Sequence, residues 1–494
     1  MSQTTFSSLP PEIFRLIGSK LDQHSLSLCS LVNHAWHSLF ESSLWRSLNP
    51  KSWFRCCNSP PILEALLRNI HSLRHLVTTE SELLRLLAHD HFPQLANLQT
   101  MNLLFIERYS DNKPNLPIRL LTGCVNLESL TLFDQSCFQY ARNEDYDAFQ
   151  DILAAFPTRS LKKLSIEFEV EDYSPCVERG DWSPLFDHDD EYQLACERQR
   201  LLSPFVALRE LVFLSAYVHI DPSKLEALME SVETLEELRI GGCGQLRKNA
   251  ILDLLCSAKK LRRLESVADG ERTEEIIELK LHAYEAYKEH FEGQMDREWA
   301  LGPSVEFLQL KLLGVPRPDV WYNQCGGRLL DLNEGMDVAL RFEVQQWIYT
   351  QLGRLTGVQE LVLGITDFDQ ENLTNYGVDP ALSAILDDTF EELLAEHDMH
   401  LFHYSSLEFS LKSGLGLLGG LKELRVLDVR KTAHRIGVDE LEWMRKNWPK
   451  LEEVKGLMSE RRWAVDRDDG LDVKAAVDAW MTAHPHGIGS SFYS

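Results

Sequence analysis

The chain has 494 residues, 44% hydrophobic and 26% charged, enough for roughly two to four domains or one long repeat array and not the composition of a disordered chain. A formal net charge of -26 argues against nucleic acid as a partner, and no run of about 18 apolar residues offers a membrane span. The ten cysteines are scattered without CxxC spacing, which favours reduced core thiols and a cytoplasmic or nuclear setting.

The opening "MSQTTFSSLPPEIF" lacks the basic-then-apolar order of a signal peptide. Residues 8–45 read as three short helices. A proline stands at the start of the first, where its missing N–H costs nothing, and Ile13, Leu16, Ile17 and Leu21 form its apolar stripe. Leu26, Cys29 and Val32 mark the second, and Trp36 and Leu39 the third. Three helices in about forty residues bury too little surface to be stable alone, so a disulfide, a metal or a partner is needed. With no disulfide framework and no metal motif, a protein partner is the economical solution.

This stretch resembles an F-box. The resemblance is carried by Leu9, Pro10, Glu12, Ile13, Ile17, Leu21, Leu26, Val32 and Trp36, and by the closing "SLW" at Ser43–Trp45. It implies docking on the Skp-type adaptor of a cullin–RING ubiquitin ligase through Leu9, Pro10, Ile13, Ile17, Leu26, Val32 and Trp36. Trp36 is the expected anchor, since a buried indole removes the most area from water. One departure is "NHAW", where many members of the family have basic residues before the tryptophan; this bears on affinity for an acidic adaptor. The plainer role for the segment is a cap on the structure that follows.

Downstream, the pattern L-x-x-L-x-L recurs with Val, Ile, Met or Phe allowed. It appears at Leu98-Met101-Leu103, Leu127-Leu130-Leu132, Leu161-Leu164-Ile166, Leu208-Leu211-Phe213 and Leu235-Leu238-Ile240. It returns at Val305-Leu308-Leu310, Val358-Leu361-Leu363 and Leu424-Leu427-Val429, with weaker copies from Leu73, Leu261 and Leu451. The last two apolar positions lie two apart, which puts them on one face of a short strand. Helical spacing fills stretches between copies, as at Leu225, Leu228, Met229 and Val232. One strand and one helix cannot cover each other's apolar faces, so such units must stack. The segment resembles a leucine-rich-repeat solenoid, and "LEELRIGGCGQL", with Cys243, resembles its cysteine-containing subtype.

The spacing is irregular. Val305 to Val358 spans 53 positions and Val358 to Leu424 spans 66, so those intervals hold inserts or degenerate copies. One insert, residues 272–303, places Ile277, Leu281, Tyr284, Tyr287, Phe291 and Met295 on one helical face, which predicts a long helix that covers a neighbouring repeat, or else projects as a docking surface. Near the C-terminus, Val473, Ala476, Val477 and Trp480 predict a covering helix before a Gly/Ser-rich tail.

Two acidic stretches stand out. Thr366–His400 contains ten acidic residues and no Lys or Arg, and Glu171–Gln199 contains nine acidic and two basic. Asp367, Asp369, Glu371, Asp387, Asp388, Glu391, Glu392 and Glu396 form a candidate surface for a target bearing a basic patch; a solvated insert is the alternative. His397, His400 and His403, and the pair His71 and His75, have spacings that only loosely suit a metal. The common nucleotide, hydrolase and zincin signatures are missing.

Together these features predict an α/β chain: an F-box over 1–48, a helical linker with a first degenerate repeat over 49–95, a solenoid with inserts over 96–458, and a cap helix with tail over 459–494. The resemblance implies a non-catalytic substrate-recognition subunit of an SCF-type ligase, without cofactor, whose partners are a Skp-type adaptor, a cullin and an unidentified protein target. A repeat scaffold that does not act through a ligase is the competing expectation.

Overall fold

Each L-x-x-L-x-L copy forms a short strand, and among the described residues the strands pair in parallel. The computed structural model describes residues 9–48, 60–79, 92–104, 123–134, 159–168, 208–214, 232–241, 250–266, 278–280, 295, 297–313, 315, 338–364, 406–430, 432, 434–457 and 470–484. The chain divides into two compact units, Met1–Tyr173 with Glu197–Val218, and Ser174–Cys196 with His219–Ser494.

The first unit begins with helices α1 (Pro11–Gly18), α2 (Gln23–Ser30) and α3 (His34–Leu44). Strand β1 (Ser47–Leu48) follows at once, and helix α4 (Pro60–Asn69) comes next. Strands β2 (His75–Thr79), β3 (Thr100–Leu104), β4 (Ser129–Asp134), β5 (Lys163–Phe168) and β6 (Glu210–Leu214) complete the unit. Their order in the sheet is their order in the chain. The register stacks like on like: Leu48 faces Leu76, then Met101, Leu130, Leu164 and Leu211 in succession. All six are at most 2% exposed. A one-residue slip would turn this whole stripe outward, which is why the register is strictly held.

The turn before each strand is equally regular. Leu73, Leu98, Leu127, Leu161 and Leu208, the first apolar position of each copy, are buried. The residue after each donates its N–H to the equivalent carbonyl one copy earlier: Gln99 to Arg74, Glu128 to Gln99, Lys162 to Glu128, Arg209 to Lys162, all at 2.8 Å. The pattern thus satisfies the backbone polar groups that the turn would otherwise bury unpaired.

The second unit repeats the scheme with β7 (Glu237–Gly241), β8 (Arg263–Ser266), β10 (Phe307–Gln309), β12 (Glu360–Val362), β13 (Val426–Asp428) and β14 (Glu453–Lys455). Leu238, Leu264, Leu308, Leu361, Leu427 and Val454 share one register line and are fully buried. Helix α5 (Ala250–Ser257) lies between β7 and β8, and α6 (Val338–Gly353) occupies the long interval before Val358. Buried Val344, Ile348, Tyr349 and Leu352 give α6 its core face. Its Tyr349 hydroxyl accepts the N–H of Phe409 at 2.8 Å, and Gln345 accepts that of Glu408 at 3.3 Å, pinning the 406–410 segment.

One expectation is corrected. The 272–303 stretch is not a continuous helix: Glu278–Lys280 is strand β9, paired in parallel with β11 (Lys311–Leu313) through Leu279 and Leu312. The sequence there, E-L-K-L, also alternates with period two, and a strand partner decides between the two periodicities.

The C-terminal helices follow the prediction more closely. Helix α8 (Gly470–Ala483) packs against α7 (Val438–Asn447). Val477 and Trp480 are buried, whereas Ala476 is exposed. The Trp480 indole donates to Glu442 Oε1 at 2.6 Å, which satisfies its one polar atom. Gly456, at φ +82°, closes the turn after β14; a Cβ there would lie 2.6 Å from the Arg430 Cα. Only glycine combines that backbone with so close an approach.

Candidate functional site

The three N-terminal helices build a core from three side chains, Phe14 of α1, Leu26 of α2 and Phe40 of α3. Phe14 and Phe40 meet edge to face with centroids 5.9 Å apart. Leu9, Ile17, Leu21, Cys29, Trp36, Leu39 and Leu44 pack around them, each only partly buried. Two polar residues fix the helix starts. Asp22 accepts the N–H of Ser25 at 2.6 Å, and Asn33 accepts that of Trp36 at 2.9 Å. Each satisfies a donor that a helix N-terminus leaves unpaired. The bonds from Ser25 hold the Asp22 carboxyl below its usual range.

The exit from this core is tied to the sheet. The Arg46 carbonyl accepts the N–H groups of Arg74 and His75 at 2.8 and 3.1 Å, and β1 pairs with β2. Asn69 donates to Glu41 at 3.0 Å, and Gln23 donates to the Ser47 carbonyl at 3.2 Å. Strand β1 therefore forms one edge of the first unit's sheet, and these bonds tie the helices to it and to α4.

What they leave uncovered is apolar. Ile13, Leu16, Leu28, Leu31 and Val32 are between 39% and 78% exposed. They are five of the eight large exposed hydrophobic residues among the described residues, gathered in a 40-residue segment, 9–48. Such a concentration is the ordinary sign of a surface meant to be covered.

The residues expected at this surface divide into three groups. Pro10, Ile13 and Val32 are exposed; Leu9, Ile17 and Trp36 are half-buried; Leu26, at 4% exposed, lies in the core. Leu26 thus holds the helices together rather than presenting a contact. Leu16, Leu28 and Leu31 lie on the exposed surface without having been singled out as contacts. Leu16 stands three positions after Ile13, the spacing that keeps two side chains on one helix face, and that was the available signal.

Residues 6–51 match the family model described as F-box-like. The chain carries an F-box-like domain. No curated protein matches the chain by sequence. The three helices, their thin core and the exposed aliphatic residues of this F-box-like region all fall inside the matched residues.

The other candidate sites fare differently. The acidic residues Asp367, Asp369, Glu371, Asp387, Asp388, Glu391, Glu392 and Glu396, the histidines at 397, 400 and 403, and Cys243 lie outside the described residues. His71 sits in a 3-10 turn and His75 on β2, so they share no helix face. Burial, Arg46 and Arg74 together lower the affinity of His75 for a proton. Among the described residues no group of three His, Cys, Asp or Glu is placed to hold a metal ion. Burial pushes the Cys124 thiol up to about 12, which marks it as core and chemically inert. No helix among the described residues is long and apolar enough to cross a membrane.

Proposed function

We propose that the protein is a substrate-recognition subunit of an SCF-type (Skp–cullin–F-box) ubiquitin ligase, holding a protein target for ubiquitination and proteasomal degradation in the cytoplasm or nucleus. One observation carries this reading: the F-box-like match coincides with a cluster of exposed aliphatic side chains on a core of three residues. In this reading a Skp-type adaptor covers Ile13, Leu16, Leu28, Leu31 and Val32, and a cullin joins through the adaptor. The chain contributes no catalytic group. Its effect is proximity, raising the effective concentration of a target lysine near a ubiquitin thioester carried elsewhere.

The parallel strands after the F-box are read as a leucine-rich-repeat solenoid that holds the target. The support is the stacked register of one buried leucine-type position per strand within each unit. A second reading, a repeat scaffold acting without a ligase, draws on the edge position of β1 in the sheet and the Glu41–Asn69 bond.

Copurification separates the two. The full chain should retain adaptor and cullin, and Val32→Asp with Leu31→Asp should lose both while the protein stays folded. Failure of the wild-type chain to retain either partner would leave the scaffold reading standing.

A further inference from the structure

On the exposed face of the second unit's sheet, two arginines share a single carboxylate oxygen. Arg239 on β7 lies in register with Glu265 on β8 and donates through Nε to Glu265 Oε2 at 2.9 Å. Arg263, two positions before Glu265, donates through its own Nε to the same oxygen at 2.7 Å. The Arg263 guanidinium also lies over the Phe307 ring on β10, 4.3 Å from its centroid. Among the described residues these Nε bonds are the only hydrogen bonds made by either side chain. Both arginines remain 38–39% exposed, while Glu265 is at 18%.

The geometry is informative because of which nitrogens it uses. A guanidinium bound through Nε alone keeps its terminal Nη donors for another acceptor, and Arg forks pair best with planar or tetrahedral oxyanions. The carboxylate and the ring fix the two forks in place, which lowers the ordering cost of binding. Two cations on one anion leave the trio one positive charge in excess. Glu237 faces Arg263 on one side, and Glu360 faces Phe307 on the other. With these two carboxylates the five groups sum to -1, so an anion is held by the directed Nη donors of the two forks rather than by net charge, and a run of negative charge is repelled.

We propose that Arg239 and Arg263, positioned by Glu265 and Phe307, form an oxyanion-binding site for one carboxylate or phosphate group on an extended segment of the target. The idea that the segment belongs to a degradation target rests on the function proposed above; the binding chemistry does not.

The test uses the full chain without adaptor, so it is independent of the ligase assignment. A random heptapeptide library without Asp or Glu is presented in three forms: free C-terminal carboxylate, C-terminal amide, and amide with one internal phosphoserine. The site predicts enrichment of one or both anionic forms over the amide. Either Arg239→Gln or Arg263→Gln should reduce that enrichment on the order of tenfold, the loss of a charge-assisted hydrogen-bond pair. Arg263→Lys, which keeps the charge but not the fork, should fall nearly as far. Arg262→Gln, whose side chain pairs instead with Glu306 at 2.7 Å, should leave the preference intact, and thermal unfolding identifies any variant that has lost its fold. Equal recovery of the three forms by the wild-type chain, or a preference that survives both glutamine substitutions, overturns the proposal. Which anionic form is enriched tells a terminal carboxylate from a phosphorylated side chain.

Discussion

The ring of Trp36 meets that of Phe40 edge-on, with centroids 5.9 Å apart. Phe40 is completely buried and Trp36 only partly so, so the indole is at once a wall of the small core and part of its outer surface. Trp36→Ala should therefore destabilise the N-terminal helices, by about 2–4 kcal/mol for a partly buried aromatic, as well as weakening adaptor capture. Val32→Asp should weaken capture alone. Thermal unfolding of the two variants beside adaptor copurification checks the difference; equal unfolding midpoints would show that Trp36 carries no structural load.

The Asn33 cap is the next most local device. It accepts the N–H of Trp36 at 2.9 Å, so Asn33→Ala leaves that donor to water and should cost about 0.5–2 kcal/mol. Asn33→Ser keeps an acceptor at the same place and should restore most of the loss. Urea unfolding followed by hydrogen exchange of the α3 amides reads both.

Close packing between α1 and α3 gives a sharper prediction. A Cβ on Gly18 would lie 2.6 Å from Ser43 Oγ and 3.3 Å from the Phe40 ring. Ser43 can rotate away for a methyl group, so Gly18→Ala should be tolerated better than Gly18→Val. The branched side chain overpacks the core and should cost about 1–3 kcal/mol. Adaptor retention should fall in the same order as the unfolding midpoints.

The leucine stack of the second unit should respond as a core does. Leu361 is fully buried between Leu308 and Leu427 in the register, and Leu361→Ala should destabilise that unit by about 2–5 kcal/mol. Gln359, exposed in the turn before the same strand, should tolerate Ala within about 0.5 kcal/mol. Denaturant midpoints for the pair test whether the repeat position, rather than the strand in general, holds the fold.

His75 supplies a pH dependence. Burial first, then Arg46 and Arg74, lower its pKa from 6.5 in the folded protein. The unfolded chain takes up the proton at a higher pH than the folded one, so its contribution to stability is complete above about pH 6.5. It is lost progressively as the pH falls from there through the lower folded value. His75→Gln should flatten the decline below pH 6.5, measured as unfolding midpoint against pH; an unchanged slope would remove His75 from the account.

The sequence by itself determined the strands. An apolar residue at positions one, four and six of each copy can be buried only if a turn leads into a strand, and Leu98-Met101-Leu103 does this as plainly as Leu424-Leu427-Val429. It also determined the three helices of the F-box-like region, because Ile13, Leu16 and Ile17 recur at helical spacing. The tertiary structure alone decided which apolar residues face inward. Leu26 and Val32 are equally apolar in the sequence, yet Leu26 fills the space between Phe14 and Phe40 while Val32 stands in the turn before α3 with nothing of this region over it. It also decided that Glu278–Lys280 is a strand, since alternation and helical spacing were both legible there and only Lys311–Leu313 alongside could choose between them. Neither could periodicity bring Arg239, Arg263 and Glu265 together, because their meeting depends on strand register, a relationship between distant segments.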